Sequence, residues 1–261
     1  MHKPRLTGLS AGTVFCESDI VPYFQPVCNV AQNDCDGAEV LMRLWHPEKG
    51  LILPAGFLDA VNTSDGMLSV TTVLMQKVKA VVIARGYPFH NAFTLAFNIP
   101  ASVLSRPEFL CLCRDFLQDL RDYNISLMIE VTERECLVVN AELLGSLQVL
   151  RAMSVSIALD DFGTGYSGLW LLKHLPVDNI KVPLEFTSGI ITDHVSACIT
   201  DATIQLAHWL GISVTVEGVE SEKIMTSVKE RGADFVQGYY YSRPLNASQF
   251  FLFCDTLTQR Y

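Results

Sequence analysis

The chain has 261 residues, of which 49% are hydrophobic, and its net charge is −9 from 19 basic and 28 acidic side chains. This length suits one large α/β barrel or two small domains, and the absence of a Pro/Gly/Ser-rich linker or charge block favours one. The acidic balance argues against binding a nucleic-acid polymer, which requires a basic face. It does not exclude an anionic ligand held through metal ions.

The cysteines and the N-terminal residues indicate the cellular compartment of the protein. The eight cysteines are scattered, with no Cys-x-x-Cys pair and no Cys/His spacing of the zinc type, which favours reduced thiols in an intracellular protein. The segment Met1–Gly8 contains no apolar signal core, and no uninterrupted apolar run approaches the roughly 18 residues that span a bilayer. We therefore predict a soluble, cytoplasmic protein with no membrane partner.

The first predicted elements form a hairpin. Residues 1–18 are predicted to be a short lead-in to a domain that covers residues 19–261. Strands are predicted at Tyr23–Val30 and Ala38–Arg43, with a turn at Asn33–Gly37 between them. Because this turn-rich link is too short for a crossover, the two strands should be antiparallel.

Beyond the hairpin, short apolar strands alternate with longer segments of helical periodicity. The predicted strands are Leu95–Asn98, Leu127–Glu133, Val155–Leu159, Asn179–Val182 and Val214–Glu220. The predicted helices are Met67–Arg85, Pro107–Tyr123, Glu142–Met153, Ser167–Leu175, Val195–Leu210 and Glu222–Arg231. About eight strands with helical crossovers predict an α/β fold, a TIM-like (β/α)8 barrel with an antiparallel first strand. Its catalytic groups should collect at the carboxyl ends of the strands.

The pair Asp160-Asp161 lies where one apolar strand meets the glycine-rich turn Phe162–Gly168. Two adjacent carboxylates at the mouth of a buried strand repel each other and lose hydration, so they need a compensating cation, most simply one or two divalent metals. Such a pair also occurs in solvated turns. The metal hypothesis gains weight because other predicted strands end near an oxygen-bearing or cationic side chain: Glu39, Asn98, Glu130, Lys181 and Glu217.

The same turn matches the dinucleotide fingerprint at Gly163, Gly165 and Gly168. That fingerprint brings phosphates against bare backbone N–H groups at a helix N-terminus. Here two carboxylates stand directly in front of the turn and would repel a phosphate. We therefore reject the nucleotide-fold interpretation.

Ordered motifs cover nearly the whole chain, from about Tyr23 to Leu245. They are Glu39–Pro47, Phe97–Pro100, Glu130–Glu133, Asp160–Ser167, Ile180–Val182, Val216–Glu220 and Gln237–Leu245. Together they resemble the EAL-domain family of cyclic di-GMP phosphodiesterases. The resemblance implies a triosephosphate-isomerase-like barrel with an antiparallel first strand, which agrees with the hairpin predicted above.

The resemblance also implies a role for each matching side chain. The residues that match ligands of the first metal are Glu39, Asn98, Glu130 and Asp160. The residues on the second-metal side are Asp161 and Glu217, with Asp160 bridging. Lys181 matches the lysine that contacts the attacking water, Arg43 a substrate phosphate contact, and Gln237 a residue near the guanine or the reaction centre. Glu133 matches the glutamate that braces the loop after Asp161, which in the family links catalysis to dimerisation.

These residues imply hydrolysis of one 3′–5′ linkage of cyclic di-GMP, leaving linear pGpG. Hard oxygen donors suit Mg²⁺ or Mn²⁺, and two such ions can lower the pKa of water, hold the phosphate and neutralise the leaving oxygen. Lys181 could orient the hydroxide and add positive charge as the reaction proceeds. The family habit favours a homodimer.

The chain departs from the family pattern in the stretch Lys181-Val182-Pro183, where the family usually has an aspartate at the third position. Proline carries no ligand oxygen, so weaker affinity for the second metal is expected unless Glu185 compensates from the same strand face. Two alternatives to an active phosphodiesterase stay open. One is a catalytically weak EAL protein that binds cyclic di-GMP or a protein partner, and the other is a barrel hydrolase of another phosphodiester.

Overall fold

Nine β-strands among the described residues form a sheet that closes into a barrel. The computed structural model describes residues 16–61, 63–132, 137–165 and 168–258. The strands are β1 (Ile20–Asn29), β2 (Cys35–His46), β3 (Gly50–Ile52), β4 (Phe93–Asn98), β5 (Ile125–Thr132), β6 (Ser156–Asp160), β7 (Asn179–Val182), β8 (Ser213–Val216) and β9 (Phe235–Gln237). Their order is β1-β9-β8-β7-β6-β5-β4-β2-β3, and pairing of β1 with β2 closes the eight-stranded barrel and leaves β3 outside it.

The strand directions confirm the predicted topology. Strand β1 is antiparallel to both of its neighbours, β2 and β9. Every other neighbouring pair in the barrel is parallel. The predicted hairpin is confirmed as well, with Asn33 in the left-handed conformation (φ 55°) in its turn. The carboxyl ends of seven strands therefore meet at one opening of the barrel.

Helices surround the barrel on the outside. They are α1 (Ser64–Arg85), α2 (Ala101–Leu104), α3 (Pro107–Asp119), α4 (Ala141–Ala152), α5 (Gly168–His174), α6 (Leu184–Thr187), α7 (His194–Leu210), α8 (Glu222–Glu230) and α9 (Ala247–Thr258). All six predicted helices are confirmed. The predicted helix Pro107–Tyr123 ends early, at Asp119, and a 3₁₀ turn follows at Arg121–Tyr123.

One strand prediction extends too far, and another ends outside the described residues. The strand predicted to reach Glu220 ends at Val216, because Gly218 takes a left-handed conformation (φ 67°) that turns the chain. A Cβ on Gly218 would collide with Leu184, so only glycine fits at this turn. The predicted strand Leu127–Glu133 is confirmed to Thr132, and Glu133 lies outside the described residues.

Tyrosines 239–241 follow the last barrel strand and lie in a turn. Strand β9 ends at Gln237, and a turn follows in which the Tyr240 amide donates to Val219 O. The phenol of Tyr241 donates to Asn33 Oδ1 at 2.9 Å. The aromatic run is therefore a turn and does not continue strand β9, because the amides of Tyr240 and Tyr241 bond to Val219 O and Gly238 O and not to a neighbouring strand.

Helix α1 is long and apolar enough, by length and composition alone, to cross a membrane. In the fold, its residues Val70, Leu74, Val78 and Val82 are buried in the core. The Lys77 ammonium donates to the carbonyl oxygen of Ser18 at 3.0 Å. The apolar face of α1 therefore packs on the barrel, as the apolar face of a core helix does.

Helix α9 packs against strands β1 and β2. Its Phe250 is fully buried and stacks on Phe24 of β1, with ring centroids 4.9 Å apart. Phe93 of β4 meets the same ring edge-on at 5.9 Å. The C-terminal helix is thus part of the core and not an appendage.

Replacing Phe250 with alanine tests this role of α9. We expect Phe250→Ala to lower the free energy of unfolding by about 3–5 kcal/mol, because it leaves a cavity beside two aromatic rings. Urea denaturation followed by tryptophan fluorescence measures the change. Leu252→Ala, on the same helix but 68% exposed, is the matched control and should change stability by less than about 0.5 kcal/mol. Equal stability of both variants would contradict the packing described here.

Candidate active site

Side chains from seven consecutive barrel strands meet at one opening. They are Glu39 (β2), Asn98 (β4), Glu130 (β5), Asp160 (β6), Lys181 (β7), Glu217, directly after β8, and Gln237 (β9). Strand register aligns them, since Asn98 pairs with Glu130 and Thr132 with Asp160. Seven of the residues singled out from the sequence therefore lie on one rim.

Lys181 lies at the centre of this group. Its Nζ atom is 2.7 Å from Glu217 Oε1 and 2.9 Å from Glu130 Oε2. It is also 3.3 Å from Asp160 Oδ1 and 3.4 Å from Glu39 Oε2. Only 2% of the Lys181 side chain is exposed. We call Lys181 and these four carboxylates the rim cluster.

Two amides hold Glu39 in place. Asn98 Nδ2 donates to Glu39 Oε1 and Gln237 Nε2 donates to Glu39 Oε2, each at 2.6 Å. Burial opposes ionisation of Glu39, but the charge of Lys181 and these hydrogen bonds hold the pKa of Glu39 below its ordinary value. Glu39 is therefore a fixed, charged carboxylate.

The rim cluster carries more negative charge than its one ammonium balances. Burial raises the pKa of Glu130 well above its ordinary value and the pKa of Glu217 to about 7. Burial opposes the charge on Lys181 too, but the surrounding carboxylates raise the pKa of Lys181 well above its ordinary value. The site thus favours a further cation or bound protons.

The donor set fits a hard divalent cation. Carboxylate and amide oxygens are the ligands that Mg²⁺ and Mn²⁺ prefer, and the buried Gln237 Oε1 has no hydrogen-bond partner among the described residues. As the side chains stand, no three Asp, Glu, His or Cys residues in the described part of the chain are arranged to hold an ion. The Lys181 ammonium lies between the carboxylates in this arrangement.

Asp161 begins the turn that follows β6. Its backbone is left-handed (φ 55°), and its amide donates to Asp160 Oδ1 at 3.0 Å. Its carbonyl accepts hydrogen bonds from the amide of Thr164 at 3.1 Å and from the hydroxyl of Thr164 at 2.9 Å. Asp161 therefore lies beside the rim cluster, on a backbone held in a rare conformation for a residue other than glycine.

Arg43 lies on the same face of β2 as Glu39, roughly 13 Å farther along the strand. The side chain is mostly buried, and its Nη1 donates to Met42 O at 2.8 Å. The guanidinium carbon lies 6.0 Å from the centroid of the Tyr23 ring. Burial lowers the pKa of Arg43. Arg43 is thus a cation at the rim, apart from the rim cluster.

Pro183 follows the last residue of β7 and precedes α6. The chain is helical from Leu184, so Glu185 is exposed on α6 and does not share a strand face with Pro183. The suggested compensation by Glu185 is therefore wrong. The Glu217 amide donates to Val182 O at 2.9 Å, which sets Pro183 next to Glu217 at the rim.

Sequence reasoning missed Gln25. It is buried, pairs in register with Glu39 across β1 and β2, and donates through Nε2 to Ser242 O at 2.6 Å. A polar residue in the middle of an apolar strand was the available signal. Its partner Ser242 could not be found from a local pattern, since it lies 217 residues away.

The fold and the rim cluster define an α/β barrel with an acidic site at the carboxyl ends of its strands. The EAL domain family model matches residues 14–244, and the chain belongs to this family. This confirms the family and the barrel predicted from the sequence.

Similar proteins carry phosphodiesterase names. The chain is 36% identical to the probable cyclic di-GMP phosphodiesterase PdeG of Escherichia coli (strain K12), over 87% of this chain and 45% of PdeG. It is 31% identical to the cyclic di-GMP phosphodiesterase PdeL of the same strain, over 88% of this chain and 63% of PdeL. The chain thus spans about half the length of these curated relatives.

A solved phosphodiesterase structure is also similar to this chain. The PaMucR phosphodiesterase, in complex with c-di-GMP, superposes with a TM-score of 0.77 and 29% identity. The match covers 89% of this chain and 94% of that one.

The pH dependence of stability tests the charge excess at the rim. Because the folded protein holds a proton on Glu217 up to about pH 7 and the unfolded chain releases it near pH 4.5, raising the pH through this window should destabilise the metal-free fold. The expected loss is on the order of 3 kcal/mol. Denaturation in EDTA across this pH range measures it.

Glu217→Gln should flatten this pH slope, because the glutamine cannot ionise. Glu220→Gln, at an exposed position three residues later, is the matched control and should keep the wild-type slope. An unchanged slope in Glu217→Gln would contradict the assignment.

Proposed function

We propose that the chain is a metal-dependent phosphodiesterase that hydrolyses cyclic di-GMP to linear pGpG. The observation that carries this proposal is the convergence of Glu39, Glu130, Asp160 and Glu217 on Lys181 at one end of the barrel. Membership of the EAL domain family and the names of the relatives support it. The family is generally metal-dependent, which agrees with an acidic rim.

The residues that would hold a first ion are Glu39, Asn98, Glu130 and Asp160, and those of a second are Asp161 and Glu217, with Asp160 bridging. We infer Mg²⁺ or Mn²⁺, two ions in all, from the hardness of these oxygen donors. When bound, such ions supply an acidified water and neutralise charge on the phosphate. The amides of Asn98 and Gln237 keep the Glu39 carboxylate oriented toward the rim.

Lys181 has the central catalytic role in this proposal. Four carboxylates keep its ammonium protonated in a site that water barely reaches. A fixed positive charge in such a site can orient the attacking water and stabilise the charge that develops on the phosphate. Arg43, whose guanidinium lies 6.0 Å from the Tyr23 ring centroid, would contact a substrate phosphate, and Gln237 would lie near the guanine or the reaction centre.

The remaining assignments are part of the same proposal. Residues 19–261 would form the EAL phosphodiesterase domain, with residues 1–18 as its lead-in. Glu133 would brace the loop after Asp161 and connect the site to a homodimer interface. The net charge of −9 argues against a nucleic-acid polymer as substrate, and an anionic substrate would therefore be held through the metal ions. We further infer a cytoplasmic protein without a membrane partner.

One observation favours a second candidate function, a catalytically weak EAL protein that acts by binding cyclic di-GMP. Pro183 stands beside Glu217 where the family pattern has an aspartate. The rim therefore lacks one acidic group on its second-metal side. The two functions differ in whether pGpG forms at saturating metal.

Incubation of the purified protein with cyclic di-GMP and Mg²⁺ or Mn²⁺, followed by chromatography, tests the proposal. We expect pGpG to accumulate, and we expect Glu39→Ala to reduce the rate roughly 100-fold or more, since even outer partners of metal ligands contribute 10- to 100-fold. Glu220→Gln serves as the control and should keep full activity. Binding of cyclic di-GMP without turnover would support the second function. Full activity in Glu39→Ala would contradict the ligand assignment.

Restoring the missing aspartate tests the role of Pro183. Because Pro183 caps α6 with an extended backbone (φ −74°, ψ 159°), aspartate, a good N-cap residue, should fit without strain. We expect Pro183→Asp to lower the Mg²⁺ concentration that gives half-maximal hydrolysis by roughly 10-fold. Pro183→Ala, which adds no ligand oxygen, is the matched control. An unchanged metal requirement in Pro183→Asp would show that this position does not act on the metal.

A further inference from the structure

Three buried cysteines gather at the barrel end opposite the rim cluster. Cys28 lies near the end of β1, Cys35 begins β2, and Cys254 lies in α9. The Sγ atoms of Cys254 and Cys35 are 3.8 Å apart, although these residues are 219 positions apart in the sequence. We call these three residues the thiol cluster. The described cysteines form no disulfide with one another.

The packing around Cys254 keeps the two sulfur atoms close. Next to it, Asp255 accepts hydrogen bonds from Arg85 Nη2 at 2.7 Å and from the Tyr87 phenol at 2.9 Å. The Arg85 guanidinium lies 4.0 Å from the centroid of the Phe89 ring. The stack of Phe250 on Phe24 fastens the same helix to β1. Helix α9 is therefore held on both sides of Cys254.

The three thiols of the cluster differ in the direction in which their pKa is shifted. The thiols of Cys254 and Cys28 hold the pKa of Cys35 below its ordinary value, to about 5, by hydrogen bonding to its sulfur. The hydrogen bond to Cys35 and burial raise the pKa of Cys254, and the same two causes raise the pKa of Cys28. A thiolate is the reactive form of cysteine, and Cys35 is the thiol that contacts both of the others, so we assign it the attacking role.

A metal site does not explain the cluster. The described residues contain no group of three Cys, His, Asp or Glu side chains arranged to hold an ion. A disulfide fits better, because its sulfurs lie about 2 Å apart and the Cys35 and Cys254 sulfurs need to approach by only roughly 1.8 Å.

We propose that Cys35 and Cys254 are an oxidisable pair, which hydrogen peroxide converts into a disulfide that joins β2 to α9. The Cys35 thiolate attacks one peroxide oxygen, the O–O bond breaks, and water leaves after the departing hydroxide takes up a proton. This step makes a sulfenic acid at Cys35. The sulfur of Cys254 then attacks the Cys35 sulfur, loses its proton, and releases the oxygen as a second water. The two thiols lose two electrons in total, and the peroxide gains them.

The disulfide would tie the C-terminal helix to the barrel covalently. It would close a loop of about 219 residues, and such long loops give large stabilisation in the chain-entropy view. Oxidation should therefore raise the melting temperature, and reduction with dithiothreitol should reverse the rise. The cross-link lies at the end of β2 that is remote from Glu39. It would therefore change with the redox state of the two cysteines without occupying the rim.

Peptide mapping of the wild-type chain tests the proposal. The protein is freed of reductant, treated with hydrogen peroxide, alkylated, denatured, digested and analysed by mass spectrometry. We expect a Cys35–Cys254 cross-linked peptide that has lost two hydrogen atoms, and we expect its loss in both Cys35→Ser and Cys254→Ser. In Cys254→Ser, dimedone should trap a sulfenic acid at Cys35. The same treatment in denaturant should give far less of this linkage among the eight cysteines.

Cys198→Ser is the matched control. Cys198 is exposed, with its Sγ 3.5 Å from His194 Nε2, so it would be the oxidised residue if exposure alone decided reactivity. The proposal requires the Cys35–Cys254 linkage to persist in this variant. Oxidation confined to Cys198, or a dominant Cys28–Cys35 linkage, would overturn it. Equal yields of the Cys35–Cys254 linkage in folded and denatured protein would overturn it as well.

Discussion

The structure depends on one electrostatic arrangement, a buried ammonium surrounded by four carboxylates from four different elements. Burying any one of these charges alone would cost several kcal/mol. The positive charge of Lys181 lowers the free-energy cost of burying the carboxylates, and the carboxylates lower the cost of burying the Lys181 charge. The compensation is incomplete, since four acids face one base. The residual negative charge is what makes the rim a site for a cation and not only a structural ion-pair network.

The barrel topology creates this arrangement. Parallel strands deliver their last residues to one opening, so residues as far apart as Glu39 and Gln237 can share a hydrogen bond. The reversed first strand has two effects. It sets the buried amide of Gln25 beside Glu39, and it places the hairpin of β1 and β2 at the other end, where α9 covers it. Strand β2 therefore contributes to two chemically different ends, with Glu39 at the acidic end and Cys35 at the thiol end.

Local patterns in the sequence predicted the parts of the fold that have a local cause. Apolar runs that stop at an oxygen-bearing side chain identified Asn98 and Asp160, because parallel strands must end at a common edge. Local patterns do not identify which distant side chain contacts each of these residues in the fold. The contact between Cys35 and Cys254 depends on how α9 docks, and their separate positions looked scattered. The turn at tyrosines 239–241 also depends on a distant group, since the Tyr240 amide donates to Val219 O.

Pro183 shows how the charge excess couples stability to function. Its neighbour Val182 accepts the hydrogen bond from the Glu217 amide, so an aspartate at position 183 would bring a fifth carboxylate to the rim. Repulsion from that carboxylate would raise the cost of folding without metal and strengthen the hold on a second ion. Proline removes both effects and fixes the backbone at the start of α6. By this reasoning, proline would stabilise the metal-free form at the expense of affinity for a cation, which is the direction expected when a functional site carries unbalanced buried charge.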